Sequence, residues 1–287
     1  MGENCKNAEI AFFGGSFTAI DRDYMVSLLE AAAPYVRSGR FMGIRISTRP
    51  DAINEEILCL LKEYGVTSIE LGAQSMDNNV LIFNNRGHSS EDVEKASALI
   101  RGFGFSLGLQ MMIGLYGSTP EKDMLTGEKI AELKPDTVRI YPTVILKNTY
   151  LNELFQCGEY VPYDMQTAVD ICTRLIRLFE SEGIKIIRLG LHDSESLRNE
   201  MTGGLWHPAF KELCQSKMML DKCTELIKSG GFINKDITVR VNPRDISRML
   251  GQKRCNLQKL ADIGCNVTVV QDSSVMMSDI VIEERKR

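Results

Sequence analysis

Six short apolar runs, each followed by a segment of helical periodicity, constrain this chain more than any other feature. They fall at 8–13 (AEIAFF), 43–47 (GIRIS), 66–71 (VTSIEL), 105–111 (FSLGLQM), 136–141 (DTVRIY) and 184–190 (IKIIRLG). Runs of this length and composition suit strands buried in a parallel sheet. Helices are expected at 21–37, 54–65, 89–103, 119–133, 164–183 and 207–229. In "NEEILCLLKEYG", for example, Ile57, Leu58, Leu60, Leu61 and Tyr64 share one face, Glu55 and Glu56 suit the start and Gly65 the end. Strands joined through helices pair in parallel by right-handed crossovers. The fold class is therefore α/β, and the pattern alone leaves open a partial barrel, a full barrel or a doubly wound sheet.

After "GGFIN" (230–234) the pattern changes to strand, helix, short turn, helix, strand, turn, strand. The expected domains are thus 1–230 and a small α+β module at 235–287. That module carries ten Lys/Arg against seven Asp/Glu, and the remainder 24 against 31. The tilt is mild, of a size that ordinary solvated faces produce, and the net charge of −4 carries no overall nucleic-acid signature. No window approaches the roughly 20 apolar residues of a membrane span. The N-terminus "MGENCKNAEI" lacks the apolar core of a signal peptide, so a cytoplasmic location without membrane association is expected.

Eight cysteines are present without a C-x-x-C pair, and they read as reduced and mostly structural. Three histidines are too few for a multi-histidine metal site, and no H-E-x-x-H, P-loop or G-x-S-x-G motif occurs. In parallel α/β sheets, ligands gather at the carboxyl ends of strands. The segments there are "GGSF", "STRPD", "GAQS", "GLYGS", "YPT" and "GLH", small or polar in character.

The ordered set "FFGGSF", "RISTRPD", "IELGAQS", "NNRGH", "MMIGLYG" and "VRIYPTVILKNTYL" resembles the radical S-adenosylmethionine (SAM) superfamily over about residues 8 to 215. Within it, the branch holding the Elongator catalytic subunit and oxygen-independent coproporphyrinogen oxidase-like proteins is the most similar. The resemblance implies a partial TIM-type (β/α)6 barrel. It also implies a [4Fe–4S] cluster, held by C-x-x-x-C-x-x-C, that reductively cleaves SAM to a 5′-deoxyadenosyl radical. These 287 residues contain no such motif, and Cys5 stands alone. The expectation is an N-terminally shortened member without the barrel's first strand and cluster loop, holding no metal itself and inactive as this chain alone. Its full-length parent would need a reductant. An edge beside residues 8–13 would be exposed, with dimerisation as the expected outcome.

Carried over residue by residue, the resemblance gives a SAM pocket. Gly14, Gly15 and Ser16 match the segment whose backbone meets the SAM amino group, where glycine permits close approach. Ser47 stands where relatives commonly have Glu. Gln74 and Arg86 match pocket-lining residues at the family's spacing. Gln110 stands where many relatives have Asp at the ribose, and Tyr141 with Pro142 closes the pocket. Arg188, His192 and His207 are candidates for substrate or structural roles.

The tail is similar to a KH module. Its G-x-x-G position reads Gly251-Gln252-Lys253-Arg254, with arginine at the second glycine and Arg244 and Arg248 nearby. Gly251, Lys253 and Arg254 are candidate RNA contacts; a purely structural cap is the competing role. The function expected of the parent is SAM-dependent radical chemistry on a tRNA or RNA base, or on a porphyrin. The competing class is a non-catalytic RNA-binding or interaction module derived from such a barrel.

Overall fold

The computed structural model describes residues 6–285; Cys5 lies outside the described residues. Two compact units are present. One holds the chain up to Asp164 with Arg174–Trp206, and the other holds Met165–Thr173 with everything from His207 on.

The first unit alternates β1 (Glu9–Phe12), α1 (Arg22–Arg37), β2 (Gly43–Thr48), α2 (Glu55–Glu63), β3 (Val66–Gln74), α3 (Asn78–Phe83), α4 (Ser90–Gly102), β4 (Ser106–Ile113), α5 (Pro120–Glu132) and β5 (Thr137–Pro142). There follow β6 (Val144–Leu146), α6 (Tyr150–Gln156), α7 (Met165–Ser181, of which Met165–Thr173 belongs to the second unit), β7 (Lys185–Leu189), α8 (Glu195–Glu200) and β8 (Met201–Gly204). Six strands form one parallel sheet in the order β1-β2-β3-β4-β5-β7. Within the sheet β1 pairs only with β2, so one of its edges is open among the described residues. Side-chain caps open several helices: Asp21, Asn54 and Asp77 accept from Tyr24, Ile57 and Val80 N–H, and Ser89 with Asp92 forms a capping box.

Period-2 alternation sorts the strand residues between two faces. Ile44, Ile46, Ile69, Leu71, Leu107, Leu109, Met111, Val138 and Ile140 are buried, as are the helix residues Leu58, Leu61, Val93, Ile100, Ile130, Leu175 and Phe179. The other face carries Arg45, Ser47, Glu70, Gln110, Arg139, Tyr141 and Arg188. The sheet is curled around this polar face. Side by side in a flat sheet, β1 and β5 would stand about 19 Å apart. Yet the Arg139 guanidinium lies 5.4 Å from the centre of the Phe13 ring, which directly follows β1.

A buried carboxylate shapes the loop after β4. Asp123 accepts from Gly114 N–H at 2.9 Å and from Ser118 Oγ at 2.5 Å. Tyr160 donates to the Gly114 carbonyl at 2.6 Å, from the other side of the same residue. Gly114 has φ of +72°, where a glycine is at home.

The second unit contains α9 (Phe210–Ser229), β9 (Asp236–Val241), α10 (Ile246–Leu250), α11 (Cys255–Asp262), β10 (Asn266–Gln271) and β11 (Ile280–Glu284). Its sheet runs β10-β9-β11, with β9 and β10 parallel and β11 antiparallel to β9. Ile237, Val239 and Val241 of β9 form its core with Met249, Leu260, Cys265 and the α9 residues Met219, Cys223 and Ile227. Buried Asn256 ties α10 to α9: the two N–H bonds of its Nδ2 are shared among the carbonyls of Ser216, Arg248 and Met249 and Ser216 Oγ, all at 3.0–3.1 Å. Among the described residues, no helix is long and apolar enough to cross a membrane.

Burial pushes the Asp123 carboxyl from 3.8 up to about 6, against the lowering effect of its hydrogen bonds. The folded chain therefore holds this proton more tightly than the unfolded chain. The resulting stability is present at low pH and is lost as pH rises from about 4 to about 6. The Asp123→Asn variant lacks this loss and should gain on the parent by roughly 3 kcal/mol across that window, read from urea unfolding at each pH. A constant difference between the two proteins would contradict the assignment.

Candidate functional site

The concave face is organised by Glu70, which is 1% exposed. Arg45 Nη1 and Arg139 Nη2 each donate to Glu70 Oε1 at 2.9 Å. Arg139 Nε lies 2.7 Å from Oε2 at an angle too bent for a hydrogen bond, and Gln110 Nε2 donates to Oε2 at 3.2 Å. Arg45 also donates to Glu9 Oε2, at 2.6 Å from Nη2 and 2.8 Å from Nε. Burial alone would raise the Glu9 carboxyl, but hydrogen bonds from Ser68 and Arg45 hold it below its ordinary value. Glycine at 108 gives the Glu70 stem its room: a Cβ there would meet Glu70 Cγ at 2.8 Å and Thr137 Oγ1 at 2.9 Å. The result is a charged floor on a sheet whose opposite face is apolar, and buried charge of this kind is tolerated only when it is paired.

Most of the pocket residues expected from the sequence lie on this face or in the loops that follow its strands. Gly14 and Gly15 follow β1 with φ of +145° and +74°, and a Cβ on either would meet nothing within 4 Å. Ser16 continues that loop, its carbonyl accepting from Ala19 N–H at 2.8 Å. Ser47, on β2, is 3% exposed and its Oγ has no hydrogen-bond partner. Gln74 ends β3 at a break in register, with φ of +64°. Arg86 reaches Met112 on β4, with Nη2 3.3 Å from the sulfur. Its Nε is buried without a partner, and burial lowers the guanidinium from its ordinary value. Tyr141, on β5, accepts from Arg139 Nη1 at 3.4 Å.

The substrate candidates separate. Arg188, on β7, pairs in register with Arg139 and donates from Nε to the Gly190 carbonyl at 3.0 Å. His192 lies exposed in the segment after β7. His207 belongs to the second unit, where its Nδ1 accepts from Ala209 N–H at 3.1 Å, a bond that shapes the start of α9.

In the second unit, Gly251, Lys253 and Arg254 all have positive φ: 73°, 52° and 62°. Arg254 thus holds the left-handed conformation that a second glycine would adopt without strain. A groove of about 320 Å³ lies beside this turn, lined by Glu212, Ser216, Arg244, Ser247, Arg248 and Gln252 among others.

Motif reading misses Glu9, Arg45, Glu70 and Arg139. The available signal is a lone charge inside an apolar run, as in "GIRIS", "SIEL" and "TVRIY".

The residues on and around the concave face fit SAM in three respects: open glycine backbone at Gly14 and Gly15, orphaned buried polar atoms in Ser47 and Arg86, and the side-chain amides of Gln74 and Gln110. The donor set for an iron–sulfur cluster is a different matter. No group of three His, Cys, Asp or Glu side chains converges to hold a metal among the described residues.

Comparisons with known proteins bear on the family and the fold. The radical SAM superfamily model matches residues 3–126 and the radical SAM C-terminal domain matches residues 135–219. The tRNA uridine(34) acetyltransferase of Methanocaldococcus jannaschii is 32% identical over 191 residues, 60% of this chain and 35% of that protein. Elongator complex protein 3 of Danio rerio is 30% identical over 198 residues, 62% of this chain and 36% of that protein. The solved structure of the archaeal Methanocaldococcus infernus Elp3 with an N-terminal deletion superposes with a TM-score of 0.66 at 25% identity, covering 79% of this chain and 55% of that one. The chain spans about a third to a half of the length of the curated relatives it matches. With two family models covering most of its length, and with Elongator-type relatives in both sequence and structure, this chain belongs to the radical SAM superfamily.

Proposed function

We propose that the concave face is the SAM-binding half of a radical SAM site whose substrate is an RNA base. The observation that carries this reading is the polar, charge-paired face on an otherwise apolar sheet, with Ser47 Oγ and Arg86 Nε buried and unpartnered upon it. Polar atoms in that condition cost free energy unless a ligand satisfies them. Gly14 and Gly15 would meet the methionine end, Gln110 and Tyr141 the ribose side, and Gln74 and Arg86 the pocket wall. Bound together with a reduced [4Fe–4S] cluster, SAM supplies radical chemistry. Because these 287 residues contain no C-x-x-x-C-x-x-C, the cluster belongs on this reading to residues outside them, with a reductant as a further partner. The chain alone then binds SAM without cleaving it. An RNA substrate is favoured over a porphyrin by the relatives, whose names include a tRNA uridine acetyltransferase.

The same reading gives 235–287 the role of an RNA-contacting module in a cytoplasmic protein. Supporting it are the left-handed Lys253–Arg254 turn and the adjoining groove with Arg244 and Arg248. The open edge of β1 supports pairing with a second copy, which sedimentation would detect as a dimer. A non-catalytic RNA-binding or interaction module built on this barrel is the second reading, supported by the same basic turn and groove of the second unit.

Two measurements test these roles. Calorimetric titration with S-adenosylhomocysteine should show binding, and Arg86→Gln should weaken it by about 1–2 kcal/mol. An absence of binding at millimolar ligand would contradict the pocket. Fluorescence anisotropy with a tRNA should show salt-dependent binding, each of Arg248→Gln and Lys253→Gln lowering the log–log salt slope by about 0.7. Arg254→Gly should stabilise the fold by about 1 kcal/mol while weakening RNA binding; unchanged RNA affinity in all three variants would leave the turn a structural cap.

A further inference from the structure

Gln74 sits where β3 breaks register with β4, at φ of +64°. The carbonyl before it, on Ala73, accepts from the N–H after it, on Ser75, at 2.7 Å. A bond closed around a single residue of positive φ makes the γ-turn that is rare and strained for any side-chain-bearing residue. Glycine would hold that angle freely, yet the position carries glutamine. Its side chain lies back over Gly72, where an added Cβ would stand 2.6 Å from Gln74 Nε2. The amide itself makes no hydrogen bond among the described residues. Strain kept for a side chain that serves no bond of the fold points to its use by a ligand.

The turn is held from outside by His88. The Ala73 carbonyl meets His88 Nε2 at 3.2 Å, 15 residues along the chain. A carbonyl only accepts, so Nε2 carries the proton. The other ring nitrogen, Nδ1, is buried without a partner, which leaves Ala73 as the ring's one hydrogen-bond partner among the described residues. Nearby Arg86 is held separately: its N–H donates to the Leu81 carbonyl at 3.0 Å and its guanidinium reaches Met112. Beyond the turn, Met76 N–H donates to Thr126 Oγ1 at 3.1 Å.

We propose that His88 is a positioning residue: by clamping the Ala73 carbonyl it keeps Gln74 in the γ-turn, and so keeps the Gln74 amide available to the ligand of the concave face. The inference rests on reading that face as a pocket for an adenosyl ligand. The competing role is local, since His88 directly precedes Ser89, the cap of α4.

Two readouts on the 287-residue chain separate these roles. Hydrogen exchange at the Ser75 amide, followed by NMR, reports the turn without any ligand; calorimetry with S-adenosylhomocysteine reports the pocket. His88→Ala should speed Ser75 exchange about tenfold and weaken the ligand about tenfold. His88→Gln, whose amide can still donate to the carbonyl, should restore both. In a Gln74→Ala background, His88→Ala should cost at most about twofold further, because the histidine acts on the ligand only through residue 74. If His88→Ala is too unstable to purify, His88→Phe keeps a ring without the donor and should give the same two changes.

An unchanged Ser75 amide would overturn the proposal, and so would faster Ser75 exchange with unchanged affinity. A loss of affinity that persists in full in the Gln74→Ala background would overturn it too, leaving His88 a support for α4. Failure of the parent to bind S-adenosylhomocysteine would remove the pocket reading and this role with it, while the Ser75 amide would still show whether His88 holds the turn.

Discussion

The pairing of Glu70 with Arg45 and Arg139 is the constraint on which the first unit depends. A carboxylate this deeply buried is tolerated only with its charge matched and its oxygens occupied. Arginines from strands on either side meet both demands, and they can reach because the sheet curls and because residue 108 has no side chain in the way. Removing one partner from such a buried set typically costs about 3–5 kcal/mol. The floor is therefore rigid, and Gln110, Tyr141 and Phe13 take their orientations from it.

Above that floor the character of the face changes. Below, the Glu70 charge is matched by Arg45 and Arg139; toward the carboxyl ends of the strands, Ser47 and Arg86 hold buried polar atoms without a hydrogen-bond partner and without a paired charge. The contrast separates the part of the face that sustains the fold from the part suited to a ligand. The cysteine half of such a site is not written in these residues, and the division of labour proposed for this chain follows from that.

Much of this was legible beforehand, for identifiable reasons. All six main strands were marked by β-branched and aliphatic runs, and each lies within a few residues of its expected limits, as with Gly43–Thr48 against 43–47. Helix starts were marked by Asp21, Asn54, Ser89 and Thr119. Helix α3 and the short β6–β8 ladder were not legible, being three to six residues long with too few turns or alternations to show a period. Motif order singled out Gly14, Gly15, Ser47, Gln74, Arg86, Gln110 and Tyr141, which lie on the concave face or in the loops around it. The Glu70 network was not, because Glu9, Arg45, Glu70 and Arg139 come from four different strands and become neighbours only when the sheet curls. The left-handed Arg254 is a similar case: the sequence shows a missing glycine, and only the backbone shows that its conformation was kept.

The central claim is that the concave face of the six-stranded sheet binds SAM through its own residues. A crystal structure of the chain soaked with S-adenosylhomocysteine tests it most directly. The account predicts adenosyl density on that face, with the ribose at Gln110 and the amino acid end at Gly14–Gly15. Density in any other place, or a well-ordered empty face in crystals whose protein binds the ligand in solution, would contradict it.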